Sequence, residues 1–360
     1  MQHLHYLRSI LLLAVSTVFL FACQELYLED TIDSSQKIPV IQGAISDQPG
    51  PYRVALSWAK PFNSESFKTD GIQGAKVYIQ DDAGNSEKLT EAANGEYYTS
   101  AQGIKGILGR TYHVHIQFPD GNIYESVPAR LEQPVMIDSL YAETGEYVFG
   151  YTSINNQFIK KVYQGLHIYA DIKIKSNEIK YIKLDNFIIW QTESIPRTMS
   201  EKIKYFRNIF YSDDLPSIRE SIQLDDYQVI KKQQIAFVYN YLVDSMATLG
   251  YRNDGWIVCP TVKTISAEVY NYYQDVYQQL GAGFQIFDPI PSQIIGNVTC
   301  TSNPEQIVNG IFDVSAKTKL YKAFYWSPSS NGIKSKTVDD PGPIKNTVHT
   351  GVQPTYWVYL

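Results

Sequence analysis

The stretch IPVIQGAISDQPGPYRVALSW, residues 38–58, decides the fold. Residues 39–45 and 52–58 read as short strands on either side of Asp47-Gln48-Pro49-Gly50-Pro51. There proline fixes φ and glycine frees it, which sets a tight reversal. The same grammar repeats downstream. Residues 76–80 alternate and run into Asp81-Asp82-Ala83-Gly84-Asn85, and Asn94-Gly95 precedes a strand over 97–100. Tyr112, Val114, Ile116 and Phe118 share one face of the next strand, which Pro119-Asp120-Gly121-Asn122 turns into residues 123–126. About seven short strands in about ninety residues, with no helical period competing, predict an immunoglobulin-like β-sandwich over residues 38–133. The proline-bounded segment 128–134 marks its end.

Residues 134–360 predict a larger β-rich domain. Residues 162–175 and 180–190 read as long strands, and the apolar end of the second suits burial on both faces. Residues 198–211 leave helix and strand open, with Ile203, Phe206 and Phe210 at spacings a short helix accepts; residues 233–243 favour a strand by their β-branched and aromatic content. One helix stands out, near residues 266–280. Ser266 caps it, Glu268 lies near its positive end, and Gly281 stops it. Val269, Tyr273, Val276 and Leu280 form its apolar stripe. Composition agrees with a mainly β chain: 28 tyrosines and 13% aromatics suit pleated surfaces better than helices.

Upstream, residues 1–22 read as a secretory leader, with Arg8 before an apolar run over residues 10–22. At about 1.5 Å per residue that run is too short for a hydrocarbon core of about 30 Å. It ends Leu20-Phe21-Ala22-Cys23, which resembles the lipobox of bacterial lipoproteins, with Phe21 bulkier than usual. The expected outcome is a membrane lipid anchor on Cys23, with the preceding peptide removed and the new amine acylated. Residues 23–37, acidic and polar, then form a flexible tether. A net charge of −6 with no Lys/Arg block argues against a nucleic-acid partner. With Cys23 assigned to lipid, Cys259 and Cys300 remain. An oxidising envelope compartment and even parity predict a disulfide between them.

The helix run ISAEVYNYYQDVYQQL is followed by Phe287-Asp288-Pro289, Ile295-Gly296-Asn297-Val298, Asn303-Pro304-Glu305 and Gly310-Ile311-Phe312. With VIQGAISDQPGPYRVALSWAKPF, Gly74-Ala75-Lys76-Val77 and Gly109-Arg110-Thr111-Tyr112, these blocks resemble a Bacteroidota lipoprotein family, domain of unknown function 4249, over roughly residues 36–320. The resemblance implies an outer-membrane lipoprotein, often encoded beside TonB-dependent receptors, and carries over no catalytic residue. Gln24 in place of aspartate removes the usual inner-membrane retention signal. Glu25 stands alone near the cysteine and Glu29-Asp30 comes late, a departure from the acidic pair of surface-displayed relatives. The cell-surface face is favoured over the periplasmic one.

Candidate chemistry is sparse. His113 and His115 share the face opposite Tyr112, Val114 and Ile116, and read as exposed histidines lacking a third metal ligand. No G-x-S-x-G, H-E-x-x-H, Walker loop or helix-opening G-x-G-x-x-G occurs. Asp81-Asp82, Asp213-Asp214 and Asp225-Asp226 fit turns, Gly281 to Gly283 fit a helix end, and Tyr270, Tyr272, Tyr273 and Tyr277 fit core or edge packing better than sugar stacking. Thr31, Ser139 and Ser245 match the Asp-Ser/Thr-apolar pattern of Bacteroidota O-glycosylation; the Asn297-Val298-Thr299 sequon reads as structural. No cofactor or metal is expected. The preferred reading is a non-enzymatic binding lipoprotein or accessory subunit of a TonB-dependent transporter, its ligand unspecified. Its rivals are an envelope hydrolase with scattered carboxylates and a structural subunit of an outer-membrane complex.

Overall fold

Alternating burial along each short N-terminal strand shows the physical basis of the fold. Thr111–Gln117 hides Tyr112, Val114 and Ile116 and leaves His113 and His115 partly open, because successive side chains of a strand point to opposite faces. The computed structural model describes residues 37–60, 70–152, 158–174, 179–211, 220–224, 229–239, 251–281, 294–326, 332–339, 341 and 346–358. From Ile38 onward these belong to one unit, mainly β.

The first half supplies β1 (Pro39–Ser46), β2 (Arg53–Trp58), β3 (Asp70–Gly71), β4 (Lys76–Asp81), β5 (Ser86–Lys88), β6 (Thr90–Glu91), β7 (Glu96–Tyr98), β8 (Thr111–Gln117), β9 (Ile123–Ser126) and β10 (Ala129–Arg130). Longer strands follow: β11 (Met136–Thr152), β12 (Phe158–Lys173), β13 (Tyr181–Ser194), β14 (Lys204–Tyr211), β15 (Glu220–Gln223), β16 (Val229–Tyr239) and β17 (Tyr251–Thr264). Helix α1 (Ala267–Gly281) is the one helix among the described residues. After it come β18 (Val298–Cys300), β19 (Asn309–Lys319), β20 (Lys322–Tyr325), β21 (Lys334–Thr337) and β22 (Thr347–Thr350). Within the segment 198–211, residues 204–211 form strand β14, whose backbone pairs with β13 on one side and β22 on the other. Pairing outweighs the helical spacing of its aromatics.

The principal sheet runs β22-β14-β13-β17-β19-β1-β2-β7-β6; a second runs β18-β9-β8-β4-β5, and a third is the ribbon β11-β12-β16. Strand β19 joins the halves of the principal sheet. Its Asn309–Ser315 stretch pairs in parallel with Val40–Ser46 of β1, while its Ala316–Lys319 stretch pairs antiparallel with Thr261–Thr264 of β17. The core shared by the first two sheets holds Ile41, Val54, Leu56, Val77, Ile79, Tyr112, Val114 and Ile116. It also takes Val298, Cys300, Phe312 and Val314, so strands from beyond residue 297 complete what residues 38–133 begin. A second core lies between the ribbon and one face of β13 and β17, with Leu166, Ile168, Leu184, Ile188 and Val258.

Two glycines and an asparagine fix β19 against β1. A Cβ on Gly310, at φ +124, would meet the Ile41 carbonyl oxygen at 1.9 Å, and a Cβ on Gly296 would meet the Gly310 carbonyl oxygen at 1.5 Å. Beside them Asn297 is 2% exposed; its Nδ2 donates to the Phe312 carbonyl at 2.9 Å while its Oδ1 accepts the Phe312 N–H at 2.8 Å. With both polar ends engaged in the core, the sequon asparagine is structural, as expected.

Candidate functional site

The face of β13, β17 and β19 turned away from the two large cores carries charge. Register alone places it: Lys183 lies opposite Lys263, and Lys263 opposite Lys317, a row of three lysines across adjacent strands. Like charges directly opposite repel. The period-2 rule keeps Asp185 and Asp313 on the same face, two residues from Lys183 and four from Lys317 along their strands. Helix α1 covers part of this face, packing through Val269, Tyr270, Tyr272 and Tyr273 onto Ile265 and Ile311. Ser266 Oγ accepts the Val269 N–H at 3.4 Å, the expected cap. Tyr272, set off the apolar stripe of the sequence, packs against this cluster too.

Asp185 is the hub of the row. It pairs with Lys183 and, through Oδ2 at 2.8 Å, with Lys263. Lys183 is 5% exposed and its ammonium sits 4.5 Å from the centroid of the Tyr273 ring. Asp313 is 6% exposed; Ser315 Oγ donates to its Oδ2 at 3.1 Å, while its buried Oδ1 has no hydrogen-bond partner. The Lys317 backbone is anchored at the β1–β2 turn, its N–H donating to Asp47 Oδ1 at 2.9 Å.

Burial and charge compete at each group. Burial, then Lys263, pushes the Lys317 ammonium down, and burial outweighs Asp185 in pushing Lys183 down. Burial also opposes charge on Lys263, yet Asp185 and Asp313 together hold it above its usual range. For Asp185 burial is again the largest single influence, overcome by Lys263 and Lys183, which keep the carboxyl low. Asp313 goes the other way: burial raises it despite the three lysines. The arrangement thus sets three ammonium groups against two carboxyls, one of them biased toward its neutral form. Nothing local in the sequence announces it, since each member is an ordinary charge at an alternating strand position. The available signal is Asp313-Val314-Ser315-Ala316-Lys317, polar and apolar in turn on a strand whose polar side is buried.

Of the residues singled out in the sequence, Tyr273 and Tyr277 on α1 border this row. Cys23, Thr31 and Ser245 fall outside the described residues, as do Asp213-Asp214 and Asp225-Asp226. The expected Cys259–Cys300 disulfide is not formed: both are buried thiols. Cys259, on β17, belongs to a cluster with Ile189, Ile257 and Ala323, whereas Cys300, on β18, belongs to the core of the first two sheets. A disulfide needs its Cα atoms within about 7 Å, which sequence parity cannot guarantee. Ser139 lies on β11 beside a register shift and hydrogen-bonds Asp171. His115 Nδ1 is 2.7 Å from Glu125 Oε1 on the neighbouring strand. Asp81 serves its own turn, its Oδ1 accepting the N–H groups of Ala83 and Asn85 at 3.0 and 2.8 Å.

Among the described residues no group of three or more metal-ligating side chains gathers, and no helix is long and apolar enough to cross a membrane. No curated protein and no solved structure matches the chain. One family model matches residues 26–320, from the end of the leader region through the last residues of β19 and beyond. By that match, the chain belongs to the family described as domain of unknown function 4249 (DUF4249).

Proposed function

We propose that this protein is an outer-membrane lipoprotein that binds a ligand or partner without transforming it, as an accessory subunit beside a TonB-dependent transporter. The observation that carries the reading is the leader ending Leu20-Phe21-Ala22-Cys23, followed by a polar tether that joins β1 directly. Acylation of Cys23 holds the body in the membrane plane. That raises its effective concentration beside an integral barrel, so weak contacts suffice. Family membership supports the envelope context, and the absence of an inner-membrane retention aspartate after Cys23 supports the outer membrane, with the cell-surface face favoured. We read residues 38–133, with β18 and β19 completing their sheets, as the immunoglobulin-like part, on the strength of two sheets facing one apolar core.

Two measurements test this. Metabolic labelling with a fatty-acid analogue marks the wild-type chain and not Cys23→Ala; equal labelling of both refutes the anchor. Detergent co-purification from native membranes recovers a barrel partner by mass spectrometry. Recovery without one, together with unchanged nutrient uptake in a deletion strain, refutes the transporter role.

A further inference from the structure

We propose that the Lys183–Lys263–Lys317 row receives a small molecule bearing a phosphate-class oxyanion. The proposal rests on the binding reading above and gives it a ligand class.

The first ground is charge. Three ammonium groups share one sheet face with two carboxyls, and Asp185 is already divided between Lys183 and Lys263. Among the described residues, Lys317 contributes only its backbone to hydrogen bonds and its side chain enters no ion pair. A half-buried ammonium beside two others, on which Asp313 and Asp47 act only through space and with no direct ion pair among the described residues, is costly to maintain, and an anion in contact with it lowers that cost. The second ground is the unmatched Asp313 Oδ1, buried on the same strand four residues from Lys317. In its protonated form, which burial favours, Asp313 donates to an anionic oxygen where an ionised carboxylate would repel it.

Geometry selects the class. The three lysines stand side by side on one face of neighbouring strands about 4.8 Å apart, so their flexible stems can gather on one ion between them. A tetrahedral oxyanion offers acceptors on every side, whereas a planar carboxylate offers two oxygens in one plane. Lysine point charges, with no arginine fork among them, fit the former. Other groups on the face complete the field: Asp185 on β13, Tyr273 and Tyr277 on α1, and Asp47 at the β1–β2 turn. Access comes from the Lys263 and Lys317 side, since the Lys263 side chain is 20% exposed against 7% for Lys183.

Isothermal titration of the detergent-solubilised full-length protein with inorganic phosphate tests this, against chloride at equal ionic strength. Saturable one-to-one binding is expected, weakened about tenfold or more in Lys317→Met, which removes one charge close to the anion. Lys317→Met disturbs no side-chain hydrogen bond or ion pair among the described residues, and Lys317→Arg, which keeps the charge, retains binding and controls for folding. A second arm with glycerol phosphate distinguishes a free anion from an esterified one. No saturable binding of either probe, or equal affinity in wild type and Lys317→Met, overturns the proposal. Cys23 labelling is independent of the row, so failure here is distinguishable from failure of the lipoprotein reading.

Discussion

Two buried regions of this molecule follow the same strand alternation and fill it with opposite chemistry. Between the first two sheets the inward positions are hydrocarbon and aromatic: Ile41, Val54, Leu56, Val77, Ile79, Tyr112 and Val114. On the face of β13, β17 and β19 beneath α1, the corresponding inward positions are Lys183, Asp185, Lys263, Asp313 and Lys317. The first region is stabilised by removing apolar surface from water, at about 25 cal/mol per Å², and tolerates no polar intruder without a partner. The second is held by pairing, and pairing leaves a remainder. Lysines and carboxylates crowded into a partly dry setting are an unfavourable way to build a core, which is what the proposed anion site would turn to use.

Four substitutions bear on that contrast, from the largest effect to the smallest. Gly310→Ala strikes the apolar side, where β19 meets β1. Its φ of +124 and the Ile41 carbonyl leave no room for a Cβ, so a loss of more than about 4 kcal/mol is expected. Insoluble expression or a collapsed melting temperature registers it; a melting point within a few degrees of wild type would mean the β1–β19 junction is looser than described. Asp185→Asn strikes the ionic side, leaving Lys183 and Lys263 without their shared carboxylate. Breaking a buried pair costs about 3–5 kcal/mol, and the lower end applies here because the Asp185 side chain is 28% exposed. Denaturant unfolding that detects no change would make the lysine row a solvated surface.

Asn297→Ala returns to the first region and removes both hydrogen bonds to the Phe312 backbone. Stranding that buried N–H and C=O costs about 2 kcal/mol, measurable by urea titration. Asp313→Asn is the subtlest, with an effect of about 1 kcal/mol. Burial raises the Asp313 pKa above its ordinary 3.8. The folded state therefore holds this proton more tightly than the unfolded chain, and its contribution is full below pH 3.8. That contribution is lost as pH climbs through the folded value. Asparagine removes the drain, so the variant gains on wild type as pH rises above 3.8. Parallel melting curves for the two proteins across that range would contradict the assignment.

Much of the first region is legible in the chain itself. Asp47-Gln48-Pro49-Gly50-Pro51 and Pro119-Asp120-Gly121-Asn122 are turns that need only local chemistry, and the strands they separate fall within a residue or two of their expected bounds. Helix α1 is legible for the same reason, through Ser266, Gly281 and an apolar stripe. The lysine row is not, because it exists only once β13, β17 and β19 are aligned. No local signal in a single sequence announces that residues 183, 263 and 317 are neighbours. The disulfide expectation failed for a related reason. Compartment and parity say that two thiols are permitted to pair, but the fold lodges Cys259 and Cys300 in different clusters. The segment 198–211 shows the limit of periodicity, since an amphipathic spacing yields to two available strand partners.

Strand β1 begins at Pro39, two residues beyond the end of the polar tether, and it is an interior strand with β2 on one side and β19 on the other. On the proposed lipid anchor, a pull would enter the fold at the start of β1 and load that strand along its axis. Hydrogen bonds to its neighbours lie across that axis, so they are loaded together in shear instead of parting one at a time like a zip. A hairpin at a sheet edge, hauled from its open end, would peel at far lower force. Were Cys23 acylated as proposed, the molecule would be moored by a strand paired on both sides, which suits a body held at one point and exposed to flow or to the motion of a partner.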